Sequence, residues 1–479
     1  MTNSWNSLIQ MPAYVVMALA ILGFFLGKAV LGSKNIKPTG IFLAVLAICF
    51  GLEITAEGSY SLFFEMVKVD SVSRLFNQVF LVVIAATVLM ISQSDEIDRR
   101  MDWEIYGLLS TIGLGMMFMV SSTNLLMAVI AIELVSLPSY ILVSMNRKNA
   151  VSKEASLKYV LFGSFASGIM LYGMSLIFGL TGSLAFDGIW KALAVSNVVG
   201  SPIYFVAILM TLAGMTFKVS AVPFHFWTPD AYQAAPTPVT AFLSIAPKVA
   251  GIALIMRFFA DHISSQTEQL TTIISIIAIA TMTLGNMAAL VQKDIKRMLA
   301  YSSISHAGFL LIGIAVMNQA GREAVFFYVP IYLLMNLGAF MGIIHLSNGQ
   351  GFHLDNFKGA IKKSPLLVVG LAACMFSLAG LPPFAGFVGK FYLFKVALES
   401  ELYVLLVAAG INSVISLYYY VNVLRVMIID EPDLQQQGGQ LSASSVPVAF
   451  VTICAVPLVL FGVYWVPLLN WASQAQIFH

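Results

Sequence analysis

The chain has 479 residues, of which 59% are apolar and only 10% charged, with a mean hydropathy of +0.89. A soluble domain is about half apolar and about a quarter charged, so a soluble enzyme is excluded, as are a disordered chain and a disulfide-built one. The formal net charge of +2 carries neither a nucleic-acid footprint nor an acidic tail.

At about 20 residues per crossing, the apolar runs delimit fourteen spans: 12–32, 39–57, 75–93, 105–121, 124–145, 156–180, 202–222, 238–260, 270–291, 298–317, 325–346, 366–399, 402–428 and 446–470. Backbone groups in hydrocarbon must be satisfied within the segment, and the ten-residue alternation of a transmembrane barrel is missing. The fold class is therefore an all-α polytopic membrane protein with about 14 transmembrane helices. No Lys or Arg precedes the first run, and its apolar character continues past Ala18 and Ala20. It is expected to be a retained span and not a signal peptide. Cys49, Cys374 and Cys454 lie far apart, without metal-ligand spacing, and read as packing residues.

Orientation follows from the basic residues. With fourteen spans, one set of alternate loops carries fifteen lysines and arginines, among them Lys34, Arg99, Arg147, Lys148, Lys296, Arg297 and Lys362. The other set carries five: Lys68, Arg74, Lys191, Arg257 and Arg322. The first set is expected to be cytoplasmic, with both termini outside. Lys158, Lys218, Lys248, Lys390 and Lys395 remain inside spans, and Glu133 is the one carboxylate deep within one. A charge at a helix centre costs about 2.5–3.5 kcal/mol on the insertion scale. A chain that keeps several has a use for them.

Two spans carry helix breakers beside their lysines. In span 7, Leu212-Ala213-Gly214 leads to Lys218 and Pro223; in span 12, Leu378-Ala379-Gly380 leads to Pro382, Pro383 and Lys390. The 34-residue run of span 12 is too long for one straight crossing and predicts two half-helices. The Leu-Ala-Gly triplets lie 166 residues apart and suggest two related halves, since paired broken helices mark the ion path in many transporters. The segment from Pro229 to Pro238 is expected to be a non-helical connection into span 8.

These motifs resemble a family. Glu133-Leu134-Val135-Ser136-Leu137-Pro138-Ser139-Tyr140 is similar to the fifth-span signature of the subunit N family of respiratory complex I, the NADH:quinone oxidoreductase. Lys153-Glu154-Ala155-Ser156-Leu157-Lys158-Tyr159 resembles the lead into span 6, and Lys218 through Trp227, with Ala235 to Val239, the seventh-span motif. Asp294 to His306 resembles the tenth, and Gly380 to Phe391 the twelfth. The likeness covers essentially the whole chain. The M-type sister typically has glutamate where Lys390 stands, and the L-type continues into a long lateral helix where this sequence ends at His479, so subunit N is the expected sister.

The resemblance implies two inverted five-helix repeats with broken helices 7 and 12. The expected division is 1-103 for spans 1–3, 104-260 for the first repeat (spans 4–8), 261-428 for the second (spans 9–13) and 429-479 for a loop and span 14. It also implies that Glu133 and Lys218 meet as spans 5 and 7 pack, as a static packing bridge or as a switch that loads a neighbouring lysine with a proton. Lys248 would be the central carrier and Lys390 the distal one, facing the exit side. Lys158, at the end of span 6, is included on its motif. Lys395, about 140° around the helix from Lys390, is expected to snorkel and is left out. His306, among Tyr301, Ser302, Ser303 and Ser305, is either a packing histidine or a relay. His225, beside Pro223, is likewise either.

No dinucleotide or phosphate-binding motif, cysteine cluster or zinc spacing is present in the sequence. No cofactor is expected on this chain; NADH, FMN, iron–sulfur clusters and quinone would lie on or between partner subunits. The partners implied are other membrane subunits of complex I, antiporter-like and small helical ones, in a bacterial inner membrane. A subunit of a multi-subunit cation/proton antiporter, or a structural spacer whose charges only hold helices, stay open as alternatives.

Overall fold

The computed structural model describes residues 4–31, 37–146, 150–196, 198–260, 267–347, 349–431 and 445–473. Lys34, Arg147 and Lys148, both termini and most of the 429–445 loop lie outside the described residues.

The chain opens with a short α1 (Ser4–Ile9), then α2 (Pro12–Leu31) and α3 (Pro38–Thr55). A hairpin of β1 (Tyr60–Leu62) and β2 (Val67–Val69) follows, paired with Ser61 opposite Lys68. Next come α4 (Ser71–Ser92), α5 (Asp102–Ser121), α6 (Leu125–Val143), α7 (Ala150–Thr181) and a surface helix α8 (Phe186–Val195). The middle of the chain holds α9 (Pro202–Val219), α10 (Trp227–Ala234), α11 (Thr237–Phe258), α12 (Thr267–Leu290), α13 (Ile295–Ala315) and α14 (Gln319–Ser347). It closes with α15 (Ala360–Lys363), α16 (Pro365–Ala379), α17 (Ala385–Glu399), α18 (Tyr403–Ile428), α19 (Ser445–Val463) and α20 (Val466–Ser473). Among the described residues thirteen helices are long and apolar enough to cross a membrane. The α16–α17 pair supplies the fourteenth crossing.

Which helices form the centre follows from burial. The apolar windows of α11, α13 and α14 are 100%, 94% and 89% buried, against 28% for α2, α3 and α19. Polar groups on the three central helices must therefore find partners inside the protein.

Both expected breaks are present. α9 ends at Ser220 (φ +64°) and α16 at Gly380 (φ +83°), each in the left-handed conformation that turns a chain out of a helix. Cis peptide bonds follow at Val222–Pro223 and Pro382–Pro383. The two caps lie 160 positions apart, as do Pro223 and Pro383. The spacing of 166 read from the Leu-Ala-Gly triplets is thus not the register of the breaks. Gly214 stands in mid-helix against Met170, whereas Gly380 is itself the cap.

A second feature occurs twice along the chain. Leu125, just after the α6 cap Asn124, donates its N–H to Leu184 O at 2.9 Å, and Phe186 N–H returns to Thr123 O at 2.9 Å. Ile295, just after the α13 cap Asp294, donates to Phe352 O at 2.9 Å, and Leu354 N–H returns to Lys293 O at 2.8 Å.

The segment after Pro229 differs from expectation. Residues Trp227–Ala234 form a helix, α10, with Pro229 in its first turn. A backbone N–H has no intrahelical acceptor there, so proline costs nothing.

Candidate functional site

The buried lysines lie on helices brought together by small residues. On α7, Gly173 lets α9 approach so closely that an added Cβ would overlap the Thr211 backbone, and on α11 a Cβ at Gly251 would press on Val219 of α9. Lys218, in the last turn of α9, is 1% exposed. Its Nζ donates to Ser136 Oγ on α6 at 3.1 Å, and that hydroxyl donates to Ile132 O at 2.7 Å.

Glu133 sits one turn before Ser136 on the same helix, half-buried, and accepts from Ser167 Oγ of α7. The expected direct Glu133–Lys218 ion pair is therefore not formed; among the described residues no ion pair joins them. A serine hydroxyl takes the ammonium, and α7 supplies the partner of the carboxylate. Spans 5 and 7 pack as anticipated, but α7 is the helix that meets α9 most closely.

Lys248, at mid-α11, is 2% exposed. Its Nζ donates to Ser303 Oγ on α13 at 2.7 Å and stands 5.4 Å from the Tyr232 ring centroid. One bond thus joins α11 to α13. Lys390, on α17 and also 2% exposed, donates to the carbonyls of Leu378 and Ala379 at 3.0 Å each and to Ser413 Oγ at 3.4 Å. Its Nζ is 4.7 Å from the Phe309 ring centroid. The carbonyls it meets are those the break leaves without helical partners.

Next to these lies a tyrosine–histidine cluster. His306 Nδ1 is 2.7 Å from Tyr328 Oη, and Nε2 is 3.2 Å from Tyr420 Oη, which also bonds the Ser302 hydroxyl. Tyr419 Oη donates to Asn286 Oδ1 at 3.0 Å, and Asn286 Nδ2 donates to Asn412 Oδ1 at 2.9 Å. His225 is buried at the first break with its ring centroid 4.3 Å from that of Phe226.

Lys158 stands apart. Its side chain is half-exposed, with Nζ 2.9 Å from Glu154 and 3.0 Å from Asp230 on α10. Asp230 also accepts from Arg297 Nη1 of α13 at 2.7 Å. Lys395 is half-exposed and 3.6 Å from Glu399.

The chain belongs to a known family, as comparison makes plain. Residues 122–416 match the family model described as NADH:quinone oxidoreductase/Mrp antiporter, TM. A protein of Sorangium cellulosum named NADH-quinone oxidoreductase subunit N 2 is 40% identical over 97% of this chain and 96% of its own length. This chain is a member of the NADH-quinone oxidoreductase subunit N family. A subunit N of Rhodospirillum rubrum is 36% identical over 96% of this chain and 95% of its own. Among solved structures, a chain of respiratory complex I from Thermus thermophilus superposes with a TM-score of 0.81 at 30% identity, covering 96% of this chain and 98% of that one. A chain of the Mrp complex from Dietzia sp. shares the fold, with a TM-score of 0.84 at 20% identity over 98% and 97% of the two chains.

Sequence reasoning misplaced three basic residues in this subunit N family member. Arg74, Arg257 and Lys296 were expected in loops, but they lie near the start of α4, in the last turn of α11 and in the first of α13, and all three are buried. Arg257 makes a two-pronged bond to Asp70, Nη1 to Oδ2 at 3.0 Å and Nη2 to Oδ1 at 2.9 Å. Lys296 donates to Ala235 O at 2.6 Å. A charge at the end of an apolar run looks like a loop residue whether it faces water or protein. The tyrosine partners of His306 were also missed; the Ser302-Ser303 and Tyr419-Tyr420 pairs inside spans were the signal available. Among the described residues no cluster of His, Cys, Asp and Glu could hold a metal ion.

Proposed function

We propose that this chain is the redox-inert, proton-translocating membrane subunit of a bacterial NADH:quinone oxidoreductase. Its relatives carry that subunit's name over nearly their whole length. NADH, FMN, iron–sulfur clusters and quinone lie on or between partner subunits, and the partners are the other membrane subunits. The basic loops face the cytoplasm, both termini face outside, and the membrane is the bacterial inner membrane.

Protons move from the cytoplasm outward through Lys248 as central carrier and Lys390 as distal carrier. Glu133 and Lys218 modulate the row, and His306, His225 and Lys158 serve as links. The observation that carries this reading is the Lys248–Ser303 bond. A fully buried ammonium held by a single neutral hydroxyl at 2.7 Å, with no carboxylate paired to it among the described residues, is costly as a static device. It is suited to giving its proton up. Coupling to quinone reduction runs through shifts of the helices that carry these groups.

The test is Lys248→Met in the assembled complex reconstituted into vesicles. Protons translocated per NADH oxidised are expected to fall while the complex stays assembled. A ratio equal to that of the native complex overturns the reading and favours a structural spacer. The cation/proton antiporter alternative rests on a family model that covers both kinds of protein and on fold likeness, whereas the full-length relatives carry the oxidoreductase subunit's name.

A further inference from the structure

On the face of the basic loops, the α4–α5 connection and the end of α14 enclose a cavity of about 440 Å³. Gln93, Asp95, Glu96, His345, Ser347 and Phe352 form part of its wall. Two of these residues reach the same buried ammonium. Glu96 Oε2 is 3.9 Å from Lys296 Nζ, and the Phe352 ring centroid is 4.6 Å from it. Lys296 is 2% exposed, and its bond to Ala235 O anchors it at the joint between α10 and α11.

Two further observations point inward. Thr237, the first residue of α11, donates its N–H to Glu96 Oε2 at 2.9 Å, while its own fully buried hydroxyl has no hydrogen-bond partner. A buried hydroxyl of this kind is ready to bind water arriving from the cavity. On α13, Lys296 and Ser303 are seven residues apart, two turns and about 10 Å along one helix face. Ser303 is the group that holds Lys248.

The Glu96–Lys296 contact is not that of a settled ion pair. Charge-assisted hydrogen bonds close to about 2.7–2.9 Å, and here the carboxylate remains at 3.9 Å while the ammonium's short bond goes to a neutral carbonyl. A loose acid beside a buried amine, at the floor of a polar cavity, is an arrangement for exchange.

We propose that this cavity is the mouth through which protons reach the lysine row, with Glu96 as the collecting carboxylate and Lys296 as the first buried carrier. The proposal rests on the proton-path reading above. Glu96 takes a proton from a hydronium ion in the cavity water, whose O–H bond breaks as the carboxyl O–H bond forms, leaving water. The carboxyl O–H bond breaks as the proton passes to the neutral amine of Lys296, forming N–H and restoring the carboxylate. Lys296 then returns to the amine as its N–H bond breaks, and an N–H bond forms on the neutral amine of Lys248 beside Ser303. No electron moves, so no oxidant or reductant is required.

The experiment uses the whole complex in inside-out membrane vesicles. Gln93→Cys puts a thiol in the cavity wall at a residue with no part in the transfer, and Cys49, Cys374 and Cys454 of this chain are buried. A bulky, membrane-impermeant methanethiosulfonate is added, with the native complex treated in parallel. Protons pumped per NADH oxidised are expected to fall in the labelled variant to the level of Lys248→Met and to recover when the label is reduced off. Glu96→Gln is expected to show the same loss without any label. If the labelled variant and Glu96→Gln pump like the native complex while Lys248→Met does not, the mouth lies elsewhere and the path stands. If Lys248→Met itself pumps like the native complex, the path reading fails and this inference with it.

Discussion

The ammonium of Lys390 closes a helix to which it does not belong, 3.0 Å from the Leu378 carbonyl at the end of α16. The break that Pro382 and Pro383 create leaves carbonyls unpaired in the interior. A cation at a helix C-terminus also meets the negative end of the helix dipole. The same side chain thus holds the broken crossing together and, in the path proposed above, would present its proton beside Ser413.

Lys390→Met tests the first role. Two buried carbonyls lose their donor, at a cost of about 1–3 kcal/mol each. The variant complex is expected to melt at a lower temperature than the native one and to pump poorly. An unchanged melting temperature rules out the capping role.

The tyrosine–histidine cluster is addressed by Tyr328→Phe. The ring keeps its volume and its place beside His306, and only the hydroxyl 2.7 Å from Nδ1 is lost. Assembly is expected to stay near native while proton translocation per electron falls. Full pumping in this variant assigns His306 to packing.

Asp70, at the start of α4, and Arg257, at the end of α11, clamp those two helices together. Burial alone would push the Asp70 carboxyl up, but the Arg257 guanidinium, followed by the Ser73 N–H at the start of α4, holds it below the usual carboxylate range. A carboxyl held low in the folded state stabilises the fold at pH values above its unfolded value. That contribution is lost as pH falls through the lowered, folded value. Asp70→Asn removes one partner of a buried pair and is expected to cost about 3–5 kcal/mol. Melting curves of the variant should also lose part of the native protein's acid sensitivity; identical pH dependence in the two would count against the clamp.

The two halves of the second broken crossing meet at Gly386, whose N–H donates to Ser377 Oγ at 3.0 Å. An added Cβ would overlap the Ser377 carbonyl, and neither backbone can yield. Gly386→Ala is expected to prevent assembly, whereas Gly410→Ala, with nothing within 4 Å of its Cβ, is expected to assemble normally. Subunit content of purified membranes reads both outcomes.

Much of this was legible in the residues. Long apolar runs have one solution in a bilayer, so the crossings and the broken pair at Pro382 and Pro383 could be read directly. Lys218, Lys248 and Lys390 stood out because charge inside such runs is costly. What could not be read depends on distance between helices. Whether Glu133 reaches Lys218 turns on how closely α7 fits against α9, and that fit depends on Gly173 and Thr211, two turns along α9 from Lys218. The burial of Arg257 was hidden for a related reason. Its partner Asp70 is 187 positions away, and no local pattern links them. Pro229 misled because proline excludes helix interiors but not first turns.

Asp230 divides its two carboxylate oxygens between two helices, Oδ2 on Lys158 of α7 and Oδ1 on Arg297 of α13. The short helix α10 that carries it is thereby tied to both neighbours at once, and any movement of α7 or α13 that displaces Asp230 changes what the other helix is holding.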